Sequence, residues 1–150
     1  MKLAEALQLR ADTQKRMQQL RQRMNMNATY QEGDKPAEDP VAMMEEFESC
    51  AQILEDLVGR INRTNSKTVT EKGSLTDLLA KRDSLKMLTE TYREFLQAAS
   101  NLSSRATRSE IRIVSAVDVP TYRKKADDYA RQLRELDNTI QAANWTTELK

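Results

Sequence analysis

Residues 43–61, MMEEFESCAQILEDLVGRI, carry the clearest pattern in the chain and decide its fold class. Apolar side chains recur there at steps of four, three, four, three and four residues: Met43, Phe47, Cys50, Leu54, Leu57 and Ile61. This spacing places one apolar stripe along an α-helix, as in a coiled coil, and such a stripe is buried against neighbouring helices. The same spacing continues through most of the sequence, which therefore predicts an all-α protein.

Four helices are predicted, at about residues 2–30, 40–65, 76–103 and 119–143. Gly33 and Pro36 in the first linker end the first helix, and Asp39 before Pro40 supplies an N-cap followed by proline at the first helical position. Helices of nearly 30 residues would be ~45 Å long. We therefore expect an elongated, antiparallel four-helix, coiled-coil-like bundle, formed by residues 1–150 as a single domain.

A small two-stranded β element is also predicted, with residues 67–70 paired to residues 110–116. The first segment precedes a glycine turn at Gly73, and the second is rich in β-branched residues with partial alternation. Because a lone two-stranded ribbon is marginal in water, we expect it to pack on the helices or on another subunit.

Charge is divided unevenly between the first two helical segments. Residues 1–33 contain six basic and three acidic residues, whereas residues 34–59 contain one basic and eight acidic residues. This complementarity favours neighbouring antiparallel helices with solvated, oppositely charged faces. The formal net charge of the whole chain is only +1, which argues against a partner that is nucleic acid or an anionic membrane.

The chain contains no histidine, which excludes Ser-His and Cys-His dyads and histidine metal ligands. Its three glycines are too dispersed for a phosphate-binding loop. Glu45, Glu46 and Glu48 are interpreted as a solvated helix face rather than a cation site. The sequence thus predicts no catalytic residue, no metal site, no cofactor and no enzymatic activity.

One polar cluster could be structural or functional. Asn62, Arg63 and Asn65 lie where the second helix ends, and Arg82 and Asp83 lie in the third, with Arg82 at a position that the heptad would give to an apolar residue. The favoured interpretation is a hydrogen-bonded junction that fixes helix register, and the alternative is a ligand site.

Trp145, the single tryptophan, poses a similar choice. A tryptophan near a terminus usually anchors that terminus by packing, whereas an exposed one would mark an interaction surface.

The sequence also favours a cytoplasmic protein. The first residues carry a charge at Glu5 and lack the apolar core of a signal peptide. The best uncharged runs, residues 95–104 and 138–147, reach about half of the ~20 residues that a membrane helix needs.

Several short segments resemble a bacterial family of uncharacterised small helical proteins, some members of which are labelled septicolysin. They are Lys2-Leu3-Ala4-Glu5-Ala6-Leu7, Arg60-Ile61-Asn62-Arg63-Thr64-Asn65, Leu75-Thr76 with Arg82-Asp83, Ser109-Glu110-Ile111, Val117-Asp118-Val119 and Asn144-Trp145-Thr146-Thr147-Glu148-Leu149. The resemblance covers nearly the whole chain and implies a bacterial context. Its label implies a pore-forming cytolysin, but it supplies no catalytic residue for this sequence.

Three hypotheses for function follow. The first is a non-enzymatic, self-associating helical scaffold or protein-interaction module that forms a homo-oligomer and could also bind another, unknown protein. The alternative is a membrane-active, pore-forming protein of the septicolysin kind. The third is an enzyme that uses only carboxylates and arginines, or a ligand-binding protein.

Overall fold

The computed structural model of the protein describes residues 1–102 and 111–150. This part of the chain contains four helices and a small two-stranded antiparallel sheet, which confirms the all-α fold class. In chain order the elements are α1 (Leu3–Met26), α2 (Pro40–Lys67), β1 (Val69–Thr70), β2 (Gly73–Ser74), α3 (Leu75–Ser100) and α4 (Val119–Thr146). The chain divides into two compact units: a terminal unit, Met1–Val69 with Ala143–Lys150, and a central unit, Thr70–Ala142.

In the terminal unit, α1 and α2 pack against each other and run antiparallel. Two ion pairs show the direction, because Arg16 pairs with Glu46 whereas Arg23, two turns further along α1, pairs with the earlier Glu38. The Arg16 guanidinium donates two hydrogen bonds to the Glu46 carboxylate, at 2.6 and 2.9 Å. These pairs confirm that the basic first segment and the acidic second segment lie side by side.

The core of the terminal unit is formed by the apolar stripes of α1 and α2. Its buried apolar residues on these helices are Leu3, Ala6, Leu20, Met43, Leu57 and Ile61. Thr13 interrupts the α1 stripe and is buried as well, but its hydroxyl donates to the Leu9 carbonyl at 2.8 Å. The polar group is therefore satisfied within its own helix.

Helix α1 ends at Met26 rather than near residue 30, because the linker folds back onto its last turn. The Asn27 side chain donates to the Arg23 carbonyl at 2.9 Å and accepts from the Glu38 backbone N–H at 3.0 Å. Helix α2 begins at Pro40 as predicted, and the Asp39 carboxylate accepts from the Val41 N–H at 2.9 Å.

The two ends of the chain meet in the terminal unit. The Leu3 N–H donates to the Thr147 carbonyl and the Leu149 N–H to the Met1 carbonyl, each at 2.9 Å, so that Lys2 and Glu148 form an antiparallel bridge. The Lys2 ammonium also lies 2.6 Å from the Glu148 carboxylate. These contacts extend the ordered backbone beyond the end of α4 at Thr146.

In the central unit, α3 begins after Ser74, whose hydroxyl accepts from the Asp77 N–H at 3.1 Å. Ser74 therefore caps the N-terminus of α3. The unit's buried leucines and isoleucine form a core on α3 and α4: Leu75, Leu78, Leu85, Leu96, Leu136 and Ile140.

The predicted pairing of residues 67–70 with residues 110–116 is wrong. Val69–Thr70 pairs instead with Gly73–Ser74 in a local hairpin, and residues 111–116 form no strand. Gly73 has a φ of +126°, a backbone conformation that favours glycine, and it lies directly after the two-residue turn between the strands. A short loop closes with less entropy loss than a pairing between segments some forty residues apart. Residues 103 and 110, where a predicted helix ended and the predicted strand began, lie outside the described residues.

Candidate binding groove

Helices α3 and α4 run antiparallel in the central unit, because Lys72, just before α3, donates to Thr139 near the end of α4, whereas Tyr92, further along α3, contacts Tyr122 near the start of α4. The Tyr92 ring lies 6.3 Å from the Tyr122 ring in a stacked arrangement and 5.3 Å from the Tyr129 ring in an edge-to-face arrangement. Tyr122 and Tyr129 are seven residues apart, so two turns of α4 present both rings to one position on α3.

A groove with a volume of about 710 Å³ lies between the same two helices. It is lined by Thr89, Arg93, Leu96, Gln97, Ser100, Asn101, Arg123, Ala126, Asp127 and Ala130. Leu96 is buried, and Ala126 and Ala130, one turn apart on α4, have small side chains that leave the space open. A volume of this size falls within the ~300–1,000 Å³ of small-molecule sites.

Two arginines give the groove its charge. Arg93 on α3 and Arg123 on α4 are exposed, and neither guanidinium forms an ion pair with a described carboxylate. Of the other described arginines, five have such partners, namely Arg16, Arg23, Arg60, Arg82 and Arg131, and five do not, namely Arg10, Arg21, Arg63, Arg112 and Arg134. Among the described lining residues, Asp127 is the one acidic residue, so these residues together carry one net positive charge. The groove thus combines an apolar wall with two cationic hydrogen-bond donors.

Thr89 in the groove lining has an unusual hydroxyl. Its Oγ1 atom is buried and has no hydrogen-bond partner among the described residues. Other helical hydroxyls, such as those of Thr13 and Thr64, donate to the carbonyl four residues earlier. A buried hydroxyl without a hydrogen-bond partner is expected to lower stability, because it has given up its hydrogen bonds to water.

The predicted polar cluster is divided between the two units. In the terminal unit, Asn62 and Arg63 are exposed and Asn65 is half-buried. In the central unit, the half-buried Arg82 donates to its neighbour Asp83 at 3.2 and 3.3 Å. The structure thus joins Arg82 to Asp83, and a junction of all five residues stays a prediction.

Thr64, between the residues of that cluster, has the more definite structural role. It is completely buried, donates to the Arg60 carbonyl at 2.8 Å and accepts from the Lys150 N–H at 2.9 Å. The polar end of α2 therefore holds the end of the chain.

Trp145 is 62% exposed, while its neighbours Ala143 and Asn144 are buried. The indole therefore lies on the surface of the terminal unit, and a role of Trp145 in interaction stays a prediction.

No group of three or more acidic or cysteine side chains that could hold a metal ion occurs in residues 1–102 and 111–150. Within the same residues, the helices are too short or too polar to cross a membrane.

Residues 10–149 match the sequence profile of DUF6847, a family of unknown function. The chain belongs to this family. It is also similar to a crystal structure described as a functionally unknown conserved protein from Corynebacterium diphtheriae. The identity is 42%, the match covers 100% of this chain and 99% of that chain, and the TM-score is 0.95. No curated protein matches the chain.

In this DUF6847 member, the sequence patterns did not predict the groove between α3 and α4 or the place of Arg93 and Arg123 in it. The signal available was the pair Ala126 and Ala130 on the apolar side of α4, where small residues at a spacing of four can leave a hollow. No sequence pattern distinguishes Arg93 and Arg123 from other arginines, because a charged residue on a helix is usually solvent-exposed.

Proposed function

We propose that this protein is a non-enzymatic binding module and that the groove between α3 and α4 is its recognition site. The observation that carries this proposal is the pair of guanidinium groups, Arg93 and Arg123, beside an apolar wall and without a described carboxylate partner. A concave apolar surface with a few converging polar groups is the usual form of a ligand site.

The proposed site is tested by comparing probe binding in the wild type with probe binding in a variant whose groove is filled by larger side chains. We expect 8-anilinonaphthalene-1-sulfonate, an anion with apolar aromatic rings, to shift the amide NMR signals of the groove-lining residues in the wild-type protein. In the variant Ala126→Leu/Ala130→Leu, leucine side chains should occupy the hollow, and these shifts should be lost.

The control is Ala80→Leu, which adds one leucine side chain at an exposed position of α3 outside the groove. This variant should bind the probe as the wild type does. Equal shifts in the filled variant and the wild type, or no shift of groove residues in either, would contradict the proposed site.

A second candidate is self-association into a homo-oligomer, the scaffold role that the apolar stripes favour. Its support is a separate apolar patch in the central unit, consisting of Phe95, Leu102, Ile113 and Val114, with exposed fractions of 39–66%. These residues line another hollow of about 290 Å³. Exposed apolar side chains that are contiguous are typical of interaction surfaces, and the occupant proposed here is a second copy of the chain.

Sedimentation velocity at micromolar concentration tests self-association. The wild type should sediment as an oligomer and Phe95→Ser/Val114→Ser as a monomer, whereas Met87→Ser, which alters an exposed apolar residue of α3 outside the patch, should leave the oligomer intact. A monomeric wild type would overturn this candidate.

The septicolysin label carried by the sequence resemblance suggests membrane activity as the alternative, and an exposed apolar patch is also compatible with a lipid surface. Release of dye from anionic liposomes would support it, and absence of leakage at every pH would exclude it. A cytoplasmic location is part of the binding-module proposal, which cell fractionation would test.

A further inference from the structure

The charges around the groove restrict what the groove can hold. Arg93 and Arg123 contribute two positive charges from the two opposite helices, and Asp127 contributes one negative charge from α4. Asp127 follows Arg123 by one helical turn, so the carboxylate lies on the same side of α4 as that guanidinium. A bound ligand with one negative charge would neutralise the site, whereas a second negative charge would face Asp127.

From this we infer that the groove binds a small amphiphilic monoanion, a carboxylate that carries an apolar chain. The inference rests on the proposed function and adds the chemical class of the ligand. The planar guanidinium groups of Arg93 and Arg123 match a carboxylate through paired N–H donors. The apolar chain lies along Leu96, Ala126 and Ala130.

The size of the groove agrees with this ligand class. About 710 Å³ accommodates a short alkyl or aryl chain together with its headgroup. Leu96 is 7% exposed, so the chain would cover an apolar side chain that already belongs to the core of the unit. Burial of the chain supplies the affinity, and the arginines supply the selection for charge.

A series of eight-carbon probes that differ only in the headgroup tests the ligand class. Octanoate has one negative charge, octanamide has none, octylammonium has one positive charge, and octyl phosphate at pH 8 has close to two negative charges. Affinities are measured by following the amide NMR signals of the groove residues during titration of the full-length protein.

We expect octanoate to bind ~10-fold more tightly than octanamide, which is the size of effect typical of a hydrogen bond to a charged group. Octylammonium should bind most weakly of the four. In the wild type, octyl phosphate should bind more weakly than octanoate. Asp127→Asn should bind octyl phosphate more tightly than the wild type does, because that variant removes the repulsion from the carboxylate.

The arginine variants assign the selectivity to these two residues. Arg93→Gln and Arg123→Gln should each lower the affinity for octanoate several-fold and leave the affinity for octanamide unchanged. Lys124→Gln removes the same charge from the residue beside Arg123, and Lys124 does not line the groove. It should change neither affinity by a comparable amount, and circular dichroism of each variant confirms that it is folded.

The outcomes separate the two proposals. If octanamide and octanoate perturb the groove with equal affinity, or if the arginine variants bind octanoate as the wild type does, the ligand class is wrong and the binding groove stands. If no probe perturbs the groove residues, both the ligand class and the proposed recognition site are overturned.

Discussion

At the scale of single residues, two helical threonines show how the same side chain can have opposite effects. The Thr64 hydroxyl is buried with two partners, the Arg60 carbonyl and the Lys150 N–H. The Thr89 hydroxyl is buried with none among the described residues. A buried polar atom costs free energy unless it is hydrogen-bonded, so replacing each hydroxyl by a methyl group should have opposite consequences.

We expect Thr89→Val to raise the free energy of unfolding by about 1 kcal/mol, because it removes an unsatisfied polar atom while keeping the shape of the side chain. Thr64→Val should lower it by about 1–2 kcal/mol, because it leaves the Lys150 N–H without its partner. Urea denaturation with an unchanged m-value measures both effects. Destabilisation by Thr89→Val would show that its hydroxyl has a partner after all.

Residue-scale features divide into those visible in the sequence and those that are not. Asp39 before Pro40 identified the start of α2, because the cap and the proline act on adjacent residues. The exposure of Trp145 could not be predicted, because it depends on which side of the chain's last helical turn faces the core.

At the scale of elements, the ion pairs between α1 and α2, and between α1 and the linker, make the terminal unit sensitive to acid. The hydrogen bonds from Arg16 lower the pKa of Glu46, and those from Arg23 lower the pKa of Glu38. A carboxyl whose pKa is lower in the folded state stabilises the protein above its ordinary pKa. This contribution is lost as the pH falls from about 4.3, the unperturbed pKa of glutamate, through the lower folded-state value.

Glu38→Gln/Glu46→Gln should therefore lose less stability than the wild type when the pH falls from 7 to 3. The urea midpoint at each pH measures this loss. The control variant Glu45→Gln/Glu48→Gln removes two carboxylates of the same segment that form no ion pair in the described structure, and it should keep the wild-type pH dependence. An identical pH dependence in both double variants would contradict a role for the ion pairs. High salt should reduce the difference in pH dependence between Glu38→Gln/Glu46→Gln and the wild type, because salt screens the partly exposed ion pairs.

Two glycines should respond oppositely to alanine. Gly73, the first residue of β2, follows the two turn residues of the hairpin and has a φ of +126°, so Gly73→Ala should lower the free energy of unfolding by about 1–3 kcal/mol through backbone strain. Gly59 lies inside α2, and an added Cβ would meet only the tip of the Arg63 side chain at 3.3 Å. Because that flexible tip can move, Gly59→Ala should raise stability by up to about 1 kcal/mol through helix propensity. Thermal unfolding shows whether each variant is more or less stable than the wild type. A stabilised Gly73→Ala variant would contradict the turn geometry.

The helices were predictable as elements because their apolar spacing is a local property of the sequence. Their ends were less so. The end of α1 at Met26 depends on the hydrogen bond from the Glu38 N–H to Asn27, eleven residues along the chain. The strand pairing was predicted wrongly because the β-branched residues after position 110 indicate extended backbone but do not select a partner.

At the scale of the whole molecule, α4 is the element that belongs to both compact units. Its residues up to Ala142 lie in the central unit, and those from Ala143 lie in the terminal unit. A helix forms cooperatively along its length, which couples the ordering of its two parts. We therefore propose that residues 1–150 unfold as one domain, as the sequence predicts.

Urea unfolding should show a single transition with coincident midpoints for two probes. Trp145 fluorescence reports on the terminal unit, and near-ultraviolet circular dichroism in the Trp145→Phe background reports mainly on the central cluster of Tyr92, Tyr122 and Tyr129. Separate midpoints would show that the two units are independent domains.

Patterns in the sequence were sufficient to predict the all-α class, the number of helices in the described chain, the cap at Asp39 and the side-by-side packing of the basic and acidic segments. Each of these follows from spacing or charge along the chain, which acts over one or two helical turns or between successive helices. Three features became visible only in the folded chain: the β1–β2 hairpin, the contact of Lys150 with Thr64 and the groove between α3 and α4. These features depend on which side chains from distant positions meet and on how much space their packing leaves, and a one-dimensional pattern does not specify either.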